Sequence, residues 1–298
     1  MTLRQLDAFI AVAREGSFSR AARALGLAQP TLSEHVRELE RELGRPLFLR
    51  RGRTVTLTEA GRVFEPHALA AVRTVAEGRQ AVVELDGLAR GSLLVGAGTT
   101  PGIYVLPEVL ADFRVKYPGI EVTLRIANSR LIEEQVRANR LDLGVVGGHG
   151  LAPGEQCVAA GLVDELVLIV APHHPWARRR DIAPERLADE RVLIREPGSA
   201  TRDVMERALQ RGGVMLRSTM ELDHTEAIKQ AVMAGLGVAL VSVHAIRGEL
   251  ASRRLVAVRL RGVRIQRHFH VIRNEQRTLA ASARAFASLL EARARRAR

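Results

Sequence analysis

Few residues in this chain are placed for covalent or metal chemistry. It has nine histidines and one cysteine. His173-His174-Pro175 reads as a turn, and His268 and His270 share one strand face with no further ligand in evidence, so no metal is expected. No G-x-S-x-G elbow, P-loop or H-E-x-x-H helix occurs, and Gly144-Val145-Val146-Gly147-Gly148 lacks the dinucleotide-binding spacing. Cys157 is alone, which excludes an intramolecular disulfide and a thiolate zinc site, and leaves a thiol switch without a resolving partner. The chain therefore reads as no enzyme, with no cofactor.

What remains is recognition without bond-making. Around the apolar positions Leu32, Val36, Leu39 and Leu43 of one predicted helix, Gln29, Thr31, Ser33, His35 and Arg37 fall off the apolar stripe, with Pro30 at the helix start. Short hydroxyl and amide side chains at a helix start can reach base edges, and a glutamine can bind adenine through two hydrogen bonds. Glu34 on the same surface would repel phosphate but can accept a hydrogen bond from cytosine. Arg50, Arg51 and Arg53 flank a glycine turn, placed for phosphate or for a minor groove.

A second group consists of hydroxyls where strands give way to helices. They are Thr99 and Thr100 before Pro101, Ser129 after Asn128, and Ser199 and Thr201 in Glu196-Pro197-Gly198-Ser199-Ala200-Thr201-Arg202, with Thr225 a further candidate. Free N–H groups at helix starts favour an anion, and Arg202 is a candidate to neutralise a carboxylate or phosphate. Read from the residues alone, Thr100, Ser129 and Ser199 serve equally well as ordinary helix caps.

The elements that must hold these residues are legible in outline. Residues 2–25 predict two helices ending at Gly26, and a third ends at Gly44; two helices around a glycine turn form a helix-turn-helix pattern. Pro46 to Leu57 reads as two short strands around a basic turn, a wing. A helix is expected from Thr58 to about Leu88, with a kink or late start at Pro66. Its positions Phe64, Ala68, Ala71, Val75, Val82 and Leu85 follow a coiled-coil spacing that Gly78 interrupts. Beyond Gly91 the texture alternates, predicting an α/β domain of mostly parallel sheet. Strands are expected at 92–95, 120–126, 141–146, 165–171, 192–195, 238–242 and 268–273, and helices at 103–117, 130–139, 201–210, 225–234 and 278–291.

The segment Leu25-Gly26-Leu27-Ala28-Gln29-Pro30-Thr31-Leu32-Ser33, with Leu39-Glu40, Leu43-Gly44, Leu47-Phe48 and Leu57-Thr58-Glu59-Ala60-Gly61, resembles the LysR-type transcription regulators. That resemblance implies an N-terminal winged helix-turn-helix over residues 1–58, a linker and dimerisation helix over 59–89, and an effector domain over 90–298. The effector domain would have the two-lobed architecture of periplasmic solute-binding proteins, with lobe I at about 90–162 and 268–298 and lobe II at about 163–267. It also implies that the hydroxyl-bearing loops line the cleft between lobes, and that partners include double-stranded promoter DNA, a small anionic metabolite, further copies of the chain as homodimer or homotetramer, and RNA polymerase. The chain departs from the family at Ala28, often serine, and at Glu34, often basic. The stretches REPGSATR and EAIKQAVMAGLGVALVS look similar to regulators of the carbon-fixation and sulfur-metabolism branch.

Composition sets outer bounds. At 298 residues and 47% hydrophobic, the chain has material for more than one core. No apolar run approaches the roughly 18 residues that cross a bilayer, and the N-terminus lacks the apolar stretch of a signal peptide, so a cytoplasmic location is expected. The formal charge of +12 suits an anionic partner, although the larger basic surplus lies after residue 247 and not in the winged segment. The final arginines from Arg293 onward are expected to be a frayed, solvated end.

Overall fold

A computed structural model describes residues 1–51, 54–83, 90–148 and 153–296. Two compact units divide the chain near residue 85, with 138–140 grouped with the first.

The first unit comprises α1 (Leu3–Glu15), α2 (Phe18–Leu25), α3 (Gln29–Leu43), β1 (Phe48–Arg51), β2 (Thr54–Leu57) and α4 (Glu59–Val83). Its helices begin and end for local reasons. Thr2 and Gln5 close a capping box over α1, the Gln5 amide N–H donating to Thr2 Oγ1 at 3.3 Å and Thr2 N–H to Gln5 Oε1 at 2.7 Å. Gly16, Gly26 and Gly44 each end a helix in the left-handed region, where a side chain would be strained. The apolar stripes converge on Phe9, Val12, Leu32, Val36, Leu39 and Phe48, with the Phe9 and Phe48 rings 5.3 Å apart.

The wing is fastened to this core through polar side chains. Glu40 Oε1 accepts from Leu47 N–H at 2.7 Å and from Phe48 N–H at 3.3 Å, which docks the two-stranded ribbon against α3. Thr58 caps α4, accepting from Gly61 N–H at 2.9 Å while its hydroxyl donates to Pro46 O at 2.8 Å. Of the kink or late start expected at Pro66, the late start does not occur: α4 begins at Glu59, as the expected start at Thr58 implied, because this cap nucleates it and proline is tolerated in its early turns. The expected helix end near Leu88, and Leu85 in its seam, lie outside the described residues.

The second unit is α/β. In chain order it contains β3 (Gly91–Gly98), α5 (Thr99–Tyr104), α6 (Leu106–Lys116), β4 (Ile120–Ala127), α7 (Ser129–Arg137), β5 (Leu143–Gly148) and β6 (Glu155–Val170). These are followed by β7 (Asp181–Ile182), β8 (Arg191–Ile194), α8 (Ala200–Arg211), β9 (Ser218–Glu221), α9 (Thr225–Met233), β10 (Val238–Ser242), α10 (Arg247–Ala251), β11 (Val256–Leu260), β12 (Ile265–Asn274) and α11 (Ala281–Arg296). The strand order β4-β3-β5-β12-β6-β10-β8-β9 places a parallel group at each end, β4-β3-β5 and β10-β8-β9. Between them the long antiparallel pair β6 and β12 belongs to both ends.

That pair makes two lobes. One core gathers Leu93, Val95, Leu106, Phe113 and Phe286, the other Leu168, Trp176, Val192, Val204 and Leu240. Sequence reading placed the start of β6 ten residues too late and that of β12 three; on β12 the polar Gln266, Arg267 and His268 hide the first apolar positions. The helix expected over 103–117 is two helices meeting at Val105. The arginine-rich end is also corrected: α11 continues to Arg296, and Arg293 pairs with Asp112 at 2.7 Å and with Glu108. Among the described residues no helix is long and apolar enough to cross a membrane.

Candidate functional site

In the first unit, Gln29, Pro30, Thr31, Glu34 and Arg37 are exposed at the start of α3 and His35 is half-buried. Ser33 is the exception. It is only 7% exposed, because it lies one turn before Val36 on the side packed against the core, so its expected presentation beside Thr31 is corrected. Gln29 is oriented from the neighbouring helix, Ser19 Oγ donating to its Oε1 at 2.8 Å. Glu34 is held by Arg37 at 3.1 Å and by Arg41 at 3.7 Å. Its charge is therefore locally balanced. Arg50 and Arg51 belong to β1, and Arg53 lies outside the described residues.

In the second unit, Gly98, Thr99, Thr100, Pro101, Asn128, Ser129, Arg195, Ser199, Ala200, Thr201 and Arg267 surround a cavity of about 10 Å³, room for roughly one water. The first six come from one lobe and Arg195 to Thr201 from the other, with Arg267 on the shared strand β12. The lobes touch beside it, Arg130 N–H donating to Gly198 O at 3.2 Å.

Which hydroxyls act as caps decides which remain for a ligand. Gly98, not Thr100, is the N-cap of α5, and Thr99 and Thr100 already belong to the helix. Asn128 caps α7, accepting from Leu131 N–H at 3.0 Å, so Ser129 does not. Ser199 is the N-cap residue of α8, yet its side chain makes no capping hydrogen bond. Among the described residues, the hydroxyls of Thr100, Ser129 and Ser199 bond to no protein group. The other candidates are committed: Thr225 accepts from Arg195 Nη1 at 2.8 Å, Thr99 from Arg195 Nη2 at 3.3 Å, and Thr201 from Arg267 Nη1 at 2.9 Å.

Arg202 does not line the cavity, which corrects its expected place. It is drawn off to Glu206 and Glu221, at 2.7 Å each, and those carboxylates raise its affinity for its proton. The residues that do place positive charge there are Arg195 and Arg267, 3% and 2% exposed, neither of which sequence reading singled out. The Arg195 fork is filled by the adjacent Glu196, Nε to Oε2 at 2.7 Å and Nη2 to Oε1 at 2.9 Å. Arg267 donates Nε–H to Asp164 at 2.7 Å, lies 5.1 Å from the centre of the Phe269 ring, and leaves Nη2 buried without a partner. Burial lowers its hold on its proton, Asp164 opposes that, and Arg195 adds repulsion. Gly147 makes room for it: a Cβ there would stand 3.2 Å from Arg267 Cδ.

A signal for Arg267 was present in the alternation of β12. Ile265, Arg267, Phe269 and Val271 share one face, as Asp164, Leu166 and Leu168 do on β6, so opposite charges interrupt two facing apolar rows. A larger hollow of about 530 Å³ between β6, β11 and β12 is mainly apolar, and its Glu165 and Arg264 pair with each other at 3.0 Å.

Two family models match the chain. The first, "Bacterial regulatory helix-turn-helix protein, lysR family", covers residues 3–62, and the second, "LysR substrate binding domain", covers residues 86–295. The chain belongs to the LysR family. It is a DNA-binding transcription regulator and not an enzyme, with the winged helix-turn-helix and two-lobed ligand domain of that family. Among curated LysR relatives, the RuBisCO operon transcriptional regulator of Allochromatium vinosum is 38% identical over 96% of this chain and 94% of its own length. The HTH-type transcriptional regulator CbbR of Rhodospirillum rubrum is also 38% identical, over 98% and 97%. These agree with the carbon-fixation side of the branch resemblance. The regulatory domain of Synechocystis PCC6803 CcmR, solved in complex with 2-PG, is 31% identical, covering 69% of this chain and 98% of its own with a TM-score of 0.64.

Proposed function

We propose that this LysR regulator reads promoter DNA with Gln29, Pro30, Thr31, Glu34, His35 and Arg37 at the start of α3, while Arg50, Arg51 and Arg53 hold phosphates. Ser33 supports that surface from beneath. The supporting observation is the exposed, locally oriented row from Gln29 to Arg37 at a helix start. α4 pairs two subunits, since Val63, Val75 and Val82 are exposed in the isolated chain. Two such dimers form a tetramer that works in the cytoplasm and contacts RNA polymerase.

The effector is a small anion bound in the cavity at Thr100, Ser129 and Ser199, the three hydroxyls left over from capping. Thr99, Thr201 and Thr225 act behind them by fixing the two arginines. Binding parts the lobes, and activity changes because the two lobe arrangements differ in affinity for the effector. Footprinting of the full-length protein on the promoter beside its own gene, with and without a metabolite extract, tests this. A discrete protected site whose extent changes with extract is expected. Equal affinity for random DNA, or a footprint no extract alters, overturns the reading.

A further inference from the structure

We infer that the face where β7 meets β11 is a docking surface for an acidic segment of another protein. That segment seats one leucine or aromatic side chain in the hollow between β6, β11 and β12 and lays its carboxylates on the arginines around it. The surface is separate from the DNA-reading helix and from the cavity between the lobes, and shares no residue with either.

The charge on this face is not used by the fold. Arg178, Arg179 and Arg180 are exposed on the approach to β7, and Arg259 is exposed beside them on β11, its backbone N–H donating to Arg180 O at 3.4 Å. Arg259 stands opposite Asp181 in the parallel register, yet that carboxylate is taken. Arg261 donates to its Oδ1 from Nε at 3.0 Å and from Nη2 at 2.8 Å. Arg264, past the turn, is held by Glu165 at 3.0 Å. Among the described residues, the side chains of Arg178, Arg179, Arg180 and Arg259 are left with no ion pair or hydrogen bond. Like charges gathered without counter-charge repel one another, and an acidic partner relieves that repulsion.

The hollow has a cause in the strand pairing. β12 pairs with β6 only as far as Ile265 opposite Leu166, and β11 takes over at Val258 opposite Leu168, so the chain from 259 to 264 leaves β6 between them. The space of about 530 Å³ there is floored by the buried side chains of Leu166, Leu168, Leu240 and Val258, with exposed Arg259 and Arg264 at its edge. An apolar centre inside a charged rim is the anatomy of a protein interface, and arginine clusters recognise acidic motifs through forked carboxylate contacts. Nucleic acid would satisfy the arginines and leave the apolar floor unused. A second copy of a chain that carries a formal charge of +12 is a poor counterpart for this rim.

Fluorescence anisotropy of the full-length protein tests this with a labelled peptide that carries a single leucine among aspartates and glutamates. The triple variant Arg178→Ser, Arg179→Ser, Arg259→Ser is expected to weaken the peptide about tenfold or more. Replacing the peptide's leucine by serine, or plugging the hollow with Val263→Trp, should each cost about fivefold, while Arg125→Ser on β4, in the other lobe, should leave binding unchanged. Equal binding by the triple variant and the wild type overturns the proposal, as does equal affinity of the wild type for the leucine and serine peptides. A labelled duplex of random sequence and sedimentation of both proteins supply the remaining arms. Unchanged duplex affinity, salt slope and particle size in the triple variant are expected. A lower salt slope for duplex makes the occupant nucleic acid, a smaller particle makes it a second copy, and either result overturns the assignment.

Discussion

Arg267 on β12 and Asp164 on β6 stand directly opposite in the strand register and are joined at 2.7 Å with almost no solvent access to either side chain. Ser242 Oγ donates to the other carboxylate oxygen at 2.6 Å, so the acid is satisfied from both sides. This ion pair lies on the strands shared by the two lobes.

Removing one member leaves the other charged and buried. Asp164→Ala is expected to destabilise the second unit by about 3–5 kcal/mol, the usual cost of orphaning a buried charge. For a unit of this size that lowers the melting temperature on the order of 10 °C. Calorimetry of wild type and variant checks it, and a drop of less than about 2 °C would show that the pair carries little.

Two glycines of α4 make opposite predictions. A Cβ at Gly61 would stand 2.3 Å from the Leu47 carbonyl oxygen, a backbone atom that cannot swing away, whereas at Gly78 nothing lies within 4 Å. Gly61→Ala is expected to cost about 1–3 kcal/mol or more and to weaken operator binding by moving the wing. Gly78→Ala should add about 0.5–1 kcal/mol through helix propensity alone. Thermal unfolding with parallel gel retardation separates the two.

Glu34 holds Arg37 and Arg41 at an exposed surface where each pair is worth little by itself. Glu34→Ala releases both guanidinium groups toward phosphate. Non-specific DNA binding is then expected to tighten, with a salt dependence steeper by about one to two contacts. Gln29→Ala should instead reorder affinities across a panel of operator variants. Wild-type ranking from both variants would remove them from base reading.

Burial pushes the Glu133 carboxyl up to about 7, reinforced by Glu155, Asp203 and Glu134 and opposed by Arg137. A carboxyl whose folded affinity for protons exceeds the unfolded one favours the fold at low pH. That contribution is complete below the ordinary value of 4.5 and is lost as pH rises through about 7. Because the group is only partly buried, a loss on the order of 1 kcal/mol is expected after allowing for solvent screening. Glu133→Gln should remove that slope and be the more stable form above pH 7. Denaturation between pH 5 and 8 tests this, and parallel profiles would refute it.

The winged unit was legible because its determinants are local. Capping residues, the helix-ending glycines and the stripe from Leu32 to Leu43 act within a few residues of themselves, and the motif from Leu57 to Gly61 carries its physical reason in the Thr58 cap and the Gly61 contact. Ser33 was misread because one helical step separates an outward from an inward side chain, and only the packing of α3 on α1 and α2 shows where the edge falls. The cavity was half legible. Its hydroxyls sit at strand ends, where an α/β pattern points, while its two arginines are far apart in sequence and were not singled out.

Local chemistry in the chain was enough to determine the three short helices of the winged unit and the glycines that end them, the wing, the alternating α/β texture and the absence of known catalytic motifs. Tertiary structure alone decided that Arg195 reaches Thr99 and Thr225, and that Arg267 meets Asp164 across more than a hundred residues. Helix caps and turns depend on neighbours in the chain. The fate of a charge depends on what the fold brings to it, and a single buried arm of Arg267 becomes visible only once every other partner has been placed.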